Sequence, residues 1–166
     1  MKDHLKPYRN LEAEKQLKAI IQQIEVLMDN PQNTYIIENL LKESVKFIKG
    51  PDKVLDLTVI ENYESWTNID DLVRELTTEI PVLSLTREEL ADLVEEIISV
   101  RDKKTGKILS EAEHGALVQL FEKNINHPGG SDLIYYPELV GLPPEPTVDE
   151  IVDLAIKGIS EKADYT

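Results

Sequence analysis

The sequence has 166 residues, of which 41% are hydrophobic and 30% charged, a balance typical of a folded protein rather than a disordered one. Its 32 acidic and 18 basic side chains give a formal net charge of -14, which disfavours binding to nucleic acid or an anionic membrane and favours a basic partner. There is no cysteine, so disulfides and thiolate zinc sites are excluded.

The second half of the chain is the more acidic. Up to Leu83 there are 15 acidic and 10 basic residues, and after it there are 17 and 8, so the two parts carry -5 and -9. No stretch reaches the roughly 18 apolar residues of a membrane span, and the first ten residues lack the apolar core of a signal peptide. The composition therefore predicts a cytoplasmic protein that does not bind membranes.

Residues 1–81 predict a helical N-terminal region. Apolar residues recur at helical spacing over 17–28, 37–48 and 69–76, and the last of these stretches stops before Pro81. The segment 50–64 fits a short strand and a helical turn equally well.

Three helices are predicted after Pro81, because a Ser or Thr is followed three residues later by Glu at three places, as in a capping box. The pairs are Thr86 with Glu89, Ser110 with Glu113, and Thr147 with Glu150. Each pair precedes an apolar face. The faces comprise Leu90, Leu93, Val94, Ile97 and Ile98; then Leu117, Leu120, Phe121 and Ile125; then Ile151, Val152, Ala155, Ile156 and Ile159.

The connections between these helices differ in character. Residues 101–107 predict a charged turn around Gly106, whereas 127–146 are rich in proline and glycine and leave room for one helical turn at 132–136. That turn carries Tyr135 and Tyr136, and neighbouring helical positions point about 100° apart. At least one tyrosine should therefore be exposed, as a binding anchor or as a ring lying across a neighbouring proline.

No motif for catalysis or metal binding is present. Gly129 and Gly130 do not follow a strand, as a phosphate-binding loop requires. His4, His114 and His127 lie far apart, without the spacing of a zinc site. We expect a protein that is not an enzyme and needs no cofactor or metal.

The run HPGGSDLIYYP at 127–137 strongly resembles the signature of the colicin and pyocin DNase immunity proteins, and the similarity extends over about 85–162. The resemblance implies an all-α fold in which residues 82–166 form a four-helix bundle with a short third helix, preceded by the helical region 1–81. It also implies the function of a bacteriocin immunity protein that binds and inhibits a cognate basic nuclease toxin.

The same resemblance implies which residues bind the partner. The short third helix would supply the anchor, through Ser131, Asp132, Tyr135 and Tyr136. The second helix would set partner choice, through Glu111, His114, Val118, Gln119 and Glu122. His114 and Gly115 stand where relatives carry aliphatic residues, a departure that concerns the specificity contacts.

Two alternatives remain open from the sequence. The tyrosine turn also suits a non-enzymatic helical adaptor or dimerisation module that binds another basic protein. The N-terminal region suits a degenerate copy of the same four-helix unit, an unrelated helical domain, or an extension that completes one larger bundle. The first of these is suggested by an echo between WTNIDDLV at 66–73 and PTVDEIVDL at 146–154.

Overall fold

The computed structural model describes residues 1, 5–50 and 52–157. Within these residues there are eight α-helices and no β-strand, which confirms the all-α prediction. The helices are α1 (Leu11–Leu27), α2 (Thr34–Ser44), α3 (Leu57–Asn62), α4 (Ile69–Thr77), α5 (Arg87–Ser99), α6 (Glu111–Asn124), α7 (Asp132–Tyr135) and α8 (Val148–Lys157). Three-residue 3-10 turns directly follow α2 and α3, a four-residue turn follows α7 after Tyr136, and another three-residue turn leads into α2.

The helices form two compact units. The N-terminal unit is Tyr8–Glu79, and the C-terminal unit combines residues 1–7 with residues 80–166. Each unit has its own cluster of buried apolar side chains.

In the N-terminal unit, α1 packs against α2, α3 and α4. Asn10 and Asn68 cap α1 and α4 through side-chain oxygens that accept backbone N–H groups of the first turn. The segment that the sequence left undecided is helical: Asp56 caps α3, and a 3-10 turn follows at Tyr63–Ser65. The core comprises Leu17, Ile20, Ile21, Ile24, Ile37, Leu55, Ile60, Tyr63, Leu72, Val73 and Leu76.

In the C-terminal unit, α5 packs against α6 and α8, and α7 packs against α8. Both hydrogen bonds of the predicted capping box form at Thr86 and at Thr147. At Ser110 the hydroxyl oxygen accepts the Glu113 N–H, and the hydroxyl donates to the Glu113 carboxylate. The core is centred on Leu93, Val94, Ile97, Leu120, Phe121, Leu133, Ile151 and Val152.

The predicted turn at 101–107 is a tight hairpin. Asp102 N–H donates to the Lys107 carbonyl, Gly106 has φ 72°, and a single bridge joins Arg101 to Ile108. Val100 ends α5 with φ 54°, a left-handed conformation that is unfavourable for a β-branched residue. The hairpin brings the polypeptide back to the start of α6.

Three residues assigned to apolar faces are at least half exposed, so those assignments were wrong. Val45 lies where α2 gives way to a 3-10 turn, which rotates it away from the core. Ile98 and Ile156 each follow a residue on the buried side of their helix, and a rotation of about 100° carries them to the rim. Ile159 and His4 lie outside the described residues.

Candidate functional site

The loop that leads into α7 is built around one buried histidine and one glycine. His127 is buried, and its Nδ1 accepts the Gly129 N–H at 2.9 Å. A Cβ atom on Gly129 would lie 2.8 Å from Val140 Cγ1 and 3.0 Å from Leu133 Cδ1, so a larger residue does not fit. Burial lowers the pKa of His127, because desolvation disfavours the charged imidazolium. This loop fixes the position at which α7 begins.

Residues on either side of the tyrosine pair attach α7 to the core, and both tyrosines are exposed. Leu133 is fully buried and Pro137 is also buried, so the turn is fastened to the core on both sides of the tyrosine pair. Tyr135 is 46% exposed and Tyr136 is 63% exposed. Two adjacent aromatic side chains that both face outwards form a surface of the kind that binds protein partners.

His114 on α6 contacts the first of these tyrosines. Its Nε2 lies 3.0 Å from the Ile97 carbonyl oxygen and 3.3 Å from the Tyr135 hydroxyl. A carbonyl only accepts, so Nε2 carries the hydrogen and donates to Ile97, near the end of α5. The Tyr135 oxygen is then a second acceptor for the same hydrogen, and the tyrosine keeps its own O–H to donate to another group.

The acidic side of the site is formed by α6. Glu122 is exposed and lies close to the loop, since its Cγ is 3.6 Å from the place of a Cβ on Gly130. Burial raises the pKa of Tyr135, and the Glu122 carboxylate adds to that effect, which places this charge near the phenol. The site therefore combines an aromatic surface with negative charge.

The remaining predicted site residues lie on these same two helices. Glu111 is exposed, and Val118, Gln119, Ser131 and Asp132 are partly exposed. Among the nine predicted residues, His114 contacts Tyr135, and the Glu122 carboxylate lies near enough to raise the pKa of Tyr135. The other six share α6 or the start and end of α7 with them.

Leu139 was missed by the sequence analysis, and the structure adds a detail to Gly115, which the sequence had singled out. Leu139, in the 3-10 turn after α7, is 72% exposed. The sequence pattern of this proline-bounded segment does not indicate whether its apolar side chains are buried or exposed. Gly115 leaves open space on α6, with no atom within 4 Å of the point that a Cβ would occupy. A partner side chain can approach the α6 backbone closely at that point.

The described part of the chain shows neither a metal-binding cluster nor a membrane-spanning helix. Residues 1, 5–50 and 52–157 contain no group of three His, Cys, Asp or Glu side chains placed to hold a metal ion. None of the helices within those residues has the length and apolar character needed to cross a bilayer.

The C-terminal unit is thus a small helical domain with an exposed tyrosine pair on its surface. Residues 82–153 match the model of the family described as colicin immunity protein / pyocin immunity protein. Over these residues the chain is similar to that family, and the match covers most of the region in which the sequence itself resembles it. No curated protein and no solved structure matches the chain.

Proposed function

We propose that the protein is a bacteriocin immunity protein that binds and inhibits a DNase toxin through the surface formed by α6 and α7. The observation that carries this proposal is the pair of exposed tyrosines, Tyr135 and Tyr136, on a short helix fastened to the core by Leu133 and Pro137. The family match over residues 82–153 supports an immunity role in general. The exposure of the tyrosine pair supports α7 as the proposed point of contact.

The two tyrosines are suited to anchor a partner because their side chains lose little conformational entropy on binding. A phenol has two rotatable bonds and a large contact area, so it loses less conformational entropy on binding than a long aliphatic or charged side chain. The fixed loop around Gly129 reduces the cost further. The free O–H of Tyr135 leaves this hydroxyl able to donate to an acceptor on the toxin, such as a backbone carbonyl.

Electrostatics supplies the second part of the mechanism. A DNase domain is basic where it holds phosphates, so an inhibitor with a net charge of -14 is steered towards it. Glu111 and Glu122 place exposed carboxylates along α6, beside the anchor. Bound there, the acidic protein would repel DNA by charge and exclude it by bulk. We infer that it acts as a cytoplasmic inhibitor and catalyses no reaction itself.

The alternative is a helical adaptor or dimerisation module that uses the same tyrosines to bind a basic protein other than a toxin. Such a module would bind without suppressing nuclease activity. The two functions are therefore separated by an inhibition assay rather than by a binding assay alone.

The experiment is titration of a purified cognate DNase domain with the purified protein, with plasmid cleavage as the readout. We expect activity to fall to background near a one-to-one ratio, and we expect the Tyr135→Ala/Tyr136→Ala double variant to be at least tenfold less effective. Full DNase activity at a large excess of the parent protein would contradict the proposal. Circular dichroism of the double variant serves as the control for folding.

A further inference from the structure

The N-terminal unit repeats the architecture of the C-terminal unit. In each unit a first helix packs against a second and a fourth helix, and a short helix followed by a 3-10 turn stands third in order, directly in the N-terminal unit and after Tyr136 in the C-terminal unit. Thus α1 to α4 correspond in order to α5 to α8. Periodicity alone does not produce this agreement, because it fixes neither the packing partners nor the place of the short helix.

The buried positions also agree in register when they are counted from the residue that caps each helix. A period of 3.6 fixes the spacing of an apolar face but not its distance from the cap. In the first helices the fourth, seventh, tenth and eleventh residues after Asn10 and Thr86 are buried in both units. In the last helices the fourth, fifth and eighth residues after Asn68 and Thr147 are buried in both.

The second helices agree as well, provided that the 3-10 turn leading into α2 is counted with it. Asn30 caps that turn, and Ser110 caps α6. The seventh residue after each cap is buried, and apolar residues stand tenth and eleventh on the core side in both. The three pairs are Ile37 with Leu117, Leu40 with Leu120, and Leu41 with Phe121.

The two units differ where the C-terminal unit carries its anchor. In the N-terminal unit the tyrosine of the third segment, Tyr63, is buried, and its hydroxyl donates to Glu25 at 3.0 Å. Its second helix instead exposes Tyr35 at 74%, in the register occupied by Gly115 in the C-terminal unit. Ile36, which follows Tyr35, is 46% exposed. The second helix of this unit therefore carries an exposed tyrosine, in addition to Trp66, which is 54% exposed and directly follows the third segment.

We propose that residues 8–79 are a diverged second copy of the immunity-type unit, and that the exposed face of α2 centred on Tyr35 binds a second basic nuclease domain. This proposal rests on the proposed function of the C-terminal unit. The unit carries 14 acidic and 8 basic residues, a net charge of -6, so its charge complements a phosphate-binding protein.

The partner differs from the one held by the C-terminal unit, because the two faces differ in chemistry. Tyr35, Glu38 and Lys42 stand three and four residues apart and so share one exposed face of α2. Lys42 takes the register of Glu122, which reverses the charge at that position. A toxin selected by Glu122 would meet a like charge here.

The experiment uses the full chain as the Tyr135→Ala/Tyr136→Ala double variant, which removes the C-terminal anchor. Calorimetry measures its binding to a panel of purified, catalytically inactivated colicin-type and pyocin-type nuclease domains, with lysozyme as a basic protein that is not a nuclease. We expect one panel member to bind the double variant, and lysozyme not to bind.

Added substitutions in that background locate the contact. Tyr35→Ala should weaken binding at least tenfold, whereas Tyr8→Ala, which removes another exposed tyrosine of the same unit, should leave it unchanged. Lys42→Glu should speed association with the basic domain. The inference is overturned if no panel member binds, or if folded Tyr35→Ala protein binds as tightly as its background. The proposed function fails separately, if the cognate DNase is inhibited equally by the parent and the double variant.

Discussion

The third segments of the two units place their tyrosines in opposite ways. In the N-terminal unit Tyr63 points into the core and its hydroxyl is hydrogen-bonded to Glu25, so this ring contributes to stability. In the C-terminal unit Leu133 and Pro137 fill the core, which leaves Tyr135 and Tyr136 outside. In the C-terminal unit the third helix is thus held in place without its tyrosines, which leaves both of them exposed.

The largest effect should come from removing the exposed tyrosines. Tyr135→Ala and Tyr136→Ala should each cost about 2 to 4 kcal/mol of binding to the cognate DNase, roughly 30-fold to 1,000-fold in affinity, because aromatic anchors dominate such interfaces. Surface plasmon resonance should show the loss in the dissociation rate. Glu122→Gln is the contrasting variant: it should mainly slow association and reduce its salt dependence. Two folded tyrosine variants that bind within about 0.5 kcal/mol of the parent would refute the anchor assignment.

The second effect concerns the loop that holds α7. Gly129→Ala should destabilise the C-terminal unit by about 1 to 3 kcal/mol, since the new methyl would meet Val140 at 2.8 Å. Gly115→Ala is the matched control: nothing lies within 4 Å, so the greater helix propensity of alanine should stabilise α6 by up to about 1 kcal/mol. Urea unfolding measures both. Equal stabilities for the two variants would mean that the Gly129 loop does not constrain the site.

The third effect concerns His114, which touches both α5 and Tyr135. His114→Ala should weaken toxin binding about fivefold, which corresponds to about 1 kcal/mol, the usual contribution of one hydrogen bond. The ring signals of Tyr135 in an NMR spectrum should broaden or shift at the same time. Unchanged affinity together with unchanged Tyr135 signals would show that the contact does not position the tyrosine.

The smallest effect is a difference in pH dependence between the units. Burial lowers the pKa of His127, so the unfolded chain takes up a proton at a higher pH than the folded one. The free energy of unfolding of the C-terminal unit should therefore be unaffected by this histidine above the ordinary histidine pKa, and it should decrease as the pH falls below that value. His127→Asn should remove this dependence between pH 7 and pH 5.

The N-terminal unit offers an internal control for that measurement. All three histidines lie outside residues 8–79, and the single tryptophan, Trp66, lies within them. Unfolding followed by Trp66 fluorescence should show no histidine-dependent loss of stability, while hydrogen exchange in α6 and α7 should show one. A loss reported equally by both probes would contradict the assignment to His127.

The sequence predicted the helices best where local chemistry defines their ends. The boxes at Thr86 and Thr147 form in full, because a capping box depends only on residues within one turn. The segment 50–64 could not be assigned, since its closely spaced apolar residues fit both periods until Asp56 is seen to cap α3.

The site was less accessible to sequence reasoning where it depends on tertiary packing. The short turn at 132–136 followed from its proline and glycine boundaries, and the exposure of at least one tyrosine followed from their adjacency. The contact between His114 and Tyr135 did not, because it joins residues 21 positions apart and depends on how α6 lies against α7. The exposure of Leu139 was not predicted either, because it depends on a 3-10 turn for which the sequence has no local motif.

Hydrogen exchange of the full chain, measured by mass spectrometry with and without the cognate DNase domain, decides whether α6 and α7 form the toxin-binding surface. If they do, slower exchange on binding should be concentrated in residues 111–122 and 131–136, with no change in α1 or α4. Slower exchange confined to residues 8–79, with α6 and α7 unaffected, would contradict that assignment.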